Sequence, residues 1–143
     1  MTTLVLGVID IPYDNRDGEG MTTTAKVAGI LEAKYGVMGT YVTAHKDDIE
    51  KELINSVESA LEDLFSGAPM RDPFQEATQG IQTGFGIFLT SGEIEGLGLP
   101  GVPTKAAIKR RNLRFKKRKK PGYRPSFVDT STYELSMRAW VKQ

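Results

Sequence analysis

Cysteine is absent from this chain, histidine and tryptophan occur once each, and no apolar run approaches the roughly 20 residues that span a bilayer. The first absence excludes a disulfide scaffold, a thiolate metal site and a cysteine nucleophile. A single histidine leaves the many serines and threonines with one candidate base, and no nucleophile elbow occurs, so an enzyme is not expected. The N-terminal Met1-Thr2-Thr3-Leu4 lacks the basic region and apolar stretch of a secretory leader, and neither secretion nor membrane insertion is expected. What is present is ordinary for a globular domain: 143 residues, 39% hydrophobic and 26% charged, enough to bury a core without staples. The expectation is one domain over residues 1–143.

Acidic residues are missing from one long stretch. Residues 100–124 hold no Asp or Glu, yet carry Lys105, Lys109, Arg110, Arg111, Arg114, Lys116, Lys117, Arg118, Lys119, Lys120 and Arg124. The formal net charge of +1 therefore hides a segment at +11 and a remainder at −10, with eight bases against eighteen acids. Such a segment reads as a basic extended arm. A solvated loop is the plainest account of it; an acidic surface of the same body or of a neighbouring copy is the second. Phosphate binding is the third, with Phe115 and Tyr123 as the nearby stacking aromatics and no recognised nucleic-acid motif around them.

Hydrophobic spacing sets out the elements. Residues 4–11, short, β-branched and stopped by Pro12, read as a strand. A polar turn follows over residues 14–20; it lacks the closing Glu and flanking helices of a calcium loop. A helix is expected from Thr22 to Tyr35, closed by Gly36. The strongest periodicity lies over residues 46–67, where Ile49, Leu53, Ile54, Val57, Ala60, Leu61, Leu64 and Phe65 recur on one face, expected to be buried against a sheet. Its opposite face, with Glu50, Lys51, Asn55, Glu58, Glu62 and Asp63, is solvated or available to a cationic partner.

A third helix is expected to open with Asp72 as N-cap and Pro73 at its first position, and to place Phe74, Ala77, Ile81, Phe85, Phe88 and Leu89 on one stripe. Gly80, Gly84 and Gly86 either admit close neighbours or end it early. Residues 92–103 read as an extended loop, and residues 104–118 are compatible with a helix before Pro121 and Pro125. The C-terminal alternation of Tyr133, Leu135, Met137, Ala139 and Val141 predicts a half-buried strand, with a short helix after Asp129 as the alternative for its first turn. There is no internal repeat. The fold class is α+β: a small antiparallel sheet that includes the N- and C-terminal strands, packed against two or three helices, with a long basic loop or arm.

Candidate chemistry is sparse. His45 stands before a helix start beside Asp47 and Asp48, a setting that favours helix entry and the helix dipole over metal binding or acid–base work. Gly84-Phe85-Gly86 and Gly96-Leu97-Gly98 are fragments that complete no nucleotide fingerprint. No catalytic residue, metal ligand or cofactor site is assigned.

Three segments, in order, resemble the head–tail joining (tail-completion or neck) proteins of tailed bacteriophages. Val27-Ala28-Gly29-Ile30-Leu31-Glu32-Ala33-Lys34-Tyr35-Gly36 is similar to that family's small helix with a Glu and a closing aromatic-Gly. The amphipathic segment over residues 46–67 and the later Gly101-Val102-Pro103-Thr104-Lys105-Ala106-Ala107-Ile108-Lys109-Arg110-Arg111 are similar to its long helix and its Pro-Thr element leading into basic residues. Pro125-Ser126-Phe127-Val128-Asp129-Thr130-Ser131-Thr132-Tyr133-Glu134-Leu135-Ser136 is similar to a Pro-hydrophobic-Asp-Thr-Gly element followed by a hydrophobic residue and a Ser, with Ser131 in the place of the Gly. The resemblance implies a virion protein at the neck or head-proximal end of the tail, assembled in the host cytoplasm. It also implies a homo-oligomeric ring, commonly hexameric, that contacts connector, tail-tube or terminator proteins and transiently the genomic DNA in the channel. A tail terminator ring is the related alternative, and a nucleic-acid-binding module using the basic arm is the other. In either ring, Lys105, Lys109, Arg110, Arg111, Arg114, Lys116, Lys117, Arg118, Lys119 and Lys120 are the expected partner-binding residues, with the 14–20 and 92–103 loops as further interface candidates.

Overall fold

The computed structural model describes residues 1–13, 22–109, 124–128 and 131–143. The chain ends meet in an α+β fold. Strand β1 (Thr3–Val8) pairs antiparallel with β2 (Met137–Lys142), placing Leu4 opposite Val141, Leu6 opposite Ala139 and Val8 opposite Met137. Period-two alternation sends these six side chains to the core face, where Met137 and Ala139 are buried. On the other face Trp140 lies over Gly7, so close that a Cβ on Gly7 would meet the indole at 2.9 Å. The first strand ends at Val8 rather than Ile11; Ile9 and Ile11 are exposed, and the chain there turns to pair Pro12 with Thr23.

Helix α1 (Thr24–Tyr35) is capped by the Thr23 side chain, and its first residue ties it to the sheet: buried Thr24 accepts from Ile11 N–H and donates to Ile9 C=O. Gly36, in the left-handed conformation, closes α1 and starts α2 (Val37–Ala44). The segment Val37 to Ala44, with two Val, two Thr and a Gly, is weak helix-forming material and carries no helix signal of its own. Two contacts from outside form it. Glu32 caps its start, accepting from Met38 N–H at 2.8 Å and Gly39 N–H at 3.0 Å, and Tyr41 is buried in the core.

Helix α3 (Lys46–Phe65) runs the length its periodicity predicts, with Asp47 and Asp48 in its first turn. Its buried face differs from the expectation in two respects. It packs on helix α4 (Gln75–Thr90), not on the sheet, and the seam follows Ile49, Leu53 and Ser56. Ser56 bridges the two helices, donating to Pro73 C=O at 2.8 Å and accepting from Ala77 N–H at 3.3 Å. Ile54, Leu61, Leu64 and Phe65 consequently lie outside the seam and are exposed.

Helix α4 starts two residues later than expected. Asp72 accepts from Phe74 N–H within the preceding turn rather than capping the helix. The glycines do not end it: α4 runs to Thr90 and supplies the centre of the core, with Ile81, Phe85, Phe88 and Leu89 at most 1% exposed. Gly80 and Gly84 both admit close neighbours: a Cβ on Gly80 would meet the Glu52 carboxylate at 2.9 Å, and one on Gly84 would sit 2.5 Å from the Tyr41 hydroxyl. That hydroxyl donates to Ile81 C=O at 3.0 Å, and the Tyr41 ring packs edge-on against Phe85. Residues 92–103, expected to be extended, instead hold a 3-10 turn over Glu93–Leu97 whose Ile94 is fully buried. Short helices α5 (Lys105–Ile108) and α6 (Thr132–Ser136) complete the fold. Helix α6 takes the first turn of the expected C-terminal strand. Its cap position is Ser131; Asp129 lies outside the described residues.

Candidate functional site

Two excursions of the chain are clamped at their bases. Tyr13 N–H donates to Thr22 C=O at 2.9 Å across the base of the 14–21 segment, which is itself outside the described residues. The base of the basic segment is held more firmly. Ser126, fully buried, donates both its N–H and its hydroxyl to Glu95 Oε1, at 2.8 and 2.7 Å, and its oxygen accepts from Thr104 N–H at 2.9 Å. Thr104 then caps α5 by accepting from Ala107 N–H. Arg124 closes the return limb through Val128 C=O at 3.2 Å and Ala106 C=O at 3.4 Å. One buried serine thus locks the 3-10 turn, the start of α5 and the chain returning from the basic stretch.

Of the residues expected to bind a partner, Lys105 is the first residue of α5 and Lys109 follows its last; both side chains are exposed. Arg110, Arg111, Arg114, Lys116, Lys117, Arg118, Lys119 and Lys120 lie outside the described residues, as does the 14–20 loop.

Beside this clamp lies an open groove of about 780 Å³ between α1, α5 and the segment that leads into α6. Its walls are mainly apolar and aromatic, with Leu31, Tyr35, Phe127 and Tyr133 prominent, and Tyr35 meets Phe127 edge-on at 5.1 Å. Lys34, Lys105 and Arg124 also line it, and no acid does among the described residues. Sequence reasoning placed Lys105 in a contact region but missed Lys34 and the aromatic floor. Lys34 and Phe127 are 93 positions apart and only the tertiary fold makes them neighbours.

A second surface has the opposite charge. Ile54, Leu61 and Phe65 recur at helical spacing along α3 and are 57%, 47% and 86% exposed, with Leu64 beside them. Glu58 lies within the same stripe and Glu62 adjoins it; both are exposed. Asp63, next to them, is engaged: Arg71 holds it at 2.7 Å while also pairing with Glu76 at 2.6 Å and bonding Ser59. That network braces the turn from α3 to α4.

His45 sits at the corner between α2 and α3. Its Nε2 is 2.9 Å from a Glu93 carboxylate oxygen and its Nδ1 3.6 Å from Asp48, contacts that become ion pairs when the ring is protonated. The ring packs against Tyr41 and edge-on against Phe88, a structural corner post. Among the described residues no group of three or more His, Asp and Glu is disposed to hold a metal ion, and no helix is long and apolar enough to cross a membrane. Burial first, then the negative charges of Glu52, Asp48 and Glu93, push the Tyr41 hydroxyl up to about 12. Tyr133 is raised as well, by burial above all, then by Glu32 and Tyr13. No family model, curated protein or solved structure matches the chain.

Proposed function

We propose that the chain is a structural assembly subunit, a joint made of copies of itself and of adjoining proteins, of the kind that completes the neck or tail end in tailed bacteriophages. The observation that carries this reading is the pairing of opposites on one molecule. A stretch at +11 belongs to a body at −10, and that body leaves an apolar, acid-flanked helix face uncovered. Scattered apolar residues on a surface are ordinary; a contiguous stripe rimmed by charge marks an interaction site. Like charges crowded into the basic stretch repel one another, and an acidic surface, whether on the same body or on a neighbouring copy, relieves that repulsion. The resemblance to head–tail joining proteins supplies the setting, a ring at the head-proximal end of the tail.

The function is tested by imaging the purified protein in negative stain with and without isolated phage tails. Rings seated at the head-proximal end are the expected result; particles that ignore both tails and capsids overturn it. The density of Lys and Arg in residues 105–124 favours a second reading, phosphate binding, which predicts tight association with arbitrary duplex DNA that weakens steeply as salt rises. For a joint, that affinity is expected to be weak.

A further inference from the structure

The exposed stripe of α3 and the groove beside α5 are complementary to each other. One offers Leu61, Leu64 and Phe65 with Glu58 and Glu62; the other offers an aromatic trough rimmed by Lys34, Lys105 and Arg124. Within a single copy they belong to different parts of the fold. Helix α3 packs on α4 and touches α2, whereas the groove is built by α1, α5 and the segment before α6. A contact between them is therefore a contact between molecules.

We infer that the C-terminal half of α3 in one copy seats in the groove of a second copy, with Phe65 entering the trough and Glu58 and Glu62 facing Lys34 and Lys105. This rests on the assembly reading above and gives it a specific interface. Because two different surfaces meet, a single contact is head-to-tail and its repetition closes into a ring or extends into a filament; made reciprocally about a twofold axis, the same two surfaces close a dimer. Apolar burial holds the contact, while the charges set its register and speed its formation. The occupant is fixed by the chemistry at hand. The groove's charged rim is entirely cationic among the described residues, and α3 carries acids on the same stripe as its exposed apolar residues.

The test is a set of charge reversals on the full chain, read by analytical ultracentrifugation. The ridge variant is Glu58→Lys with Glu62→Lys, and the groove variant is Lys34→Glu with Lys105→Glu. All four side chains are exposed or at the surface, and circular dichroism with thermal melting confirms that each variant remains folded. Each variant alone is expected to lose association by about tenfold or more, because like charges then face each other. Mixing the two variants is expected to restore assembly, as is combining all four reversals in one chain, since each pairing then matches again. Phe65→Ser is expected to weaken association without affecting the melt. If both charge variants assemble as the unaltered chain does, or if neither the mixture nor the combined chain recovers, the interface is wrong. A chain that stays monomeric at every concentration but docks on tails also overturns the interface, and it leaves the neck-protein reading standing.

Discussion

Helices α3 and α4 are the two longest among the described residues, lie against each other and are both amphipathic, yet they use their apolar faces in opposite ways. Helix α4 is covered on its apolar stripe by α2, β2 and α3, and Ala77, Ile81, Phe85, Phe88 and Leu89 are almost inaccessible. Helix α3 buries Ile49, Leu53 and Ser56 along the seam and leaves its last apolar residues in solvent. The difference teaches that an amphipathic pattern identifies a face that is to be covered without saying by what. In α4 the cover is intramolecular; in α3 we assign it to another copy.

The largest expected effect comes from the covered helix. Phe85→Ala should cost about 3–5 kcal/mol in urea denaturation, through lost burial and the cavity left in the core. Gly84→Ala comes next. Alanine is the better helix former, but its Cβ would drive into the Tyr41 hydroxyl, and a loss of about 1–3 kcal/mol is expected from overpacking. Combining it with Tyr41→Phe should recover part of that loss, a coupling that a double-mutant cycle measures directly. A full loss in the combined variant would show that the clash lies elsewhere.

Alkaline pH probes the same covered side. The unfolded chain releases the Tyr41 proton near 10.0, whereas the folded protein keeps it until about 12. The unfolded state therefore binds fewer protons across that interval. Stability should fall as pH rises from about 10 through 12, and Tyr41→Phe should reduce the slope. Phenolate absorbance in a pH titration should show Tyr41 and Tyr133 ionising above the usual tyrosine range.

The smaller effects sharpen the contrast. Gly86→Ala, at a position where nothing approaches within 4 Å, should stabilise the protein by up to about 1 kcal/mol on helix propensity alone. Phe65→Ser, at the exposed end of α3, should change the stability of dilute protein by no more than about 0.5 kcal/mol. A large loss there would mean that the end of α3 is covered within the monomer, as α4 is.

Much of the framework was legible beforehand. The terminal strands announced themselves through β-branched runs and alternation, and α1, α3 and α4 through spacing, a threonine cap and a closing glycine. Helix α2 was not legible, because its own residues are poor helix formers and its cap, Glu32, comes from the preceding helix. The 3-10 turn was hidden in the same way: Gly92, Gly96 and Gly98 suggested a loop, and the burial of Ile94 is visible only once α4 is in place. At the candidate site, composition exposed the basic stretch. It could not show that Ser126 and Glu95, 31 positions apart, would clamp its base.

What the residues decided alone is local and periodic: which segments are strand or helix, where the positive charge accumulates, and which faces are apolar. These follow from backbone preferences and from the 2- and 3.6-residue repeats that single segments carry. Tertiary structure decided which apolar face found a partner, because burial depends on what the rest of the chain brings alongside. Two helices with similar patterns thus ended with one stripe sealed in the core and the other facing water.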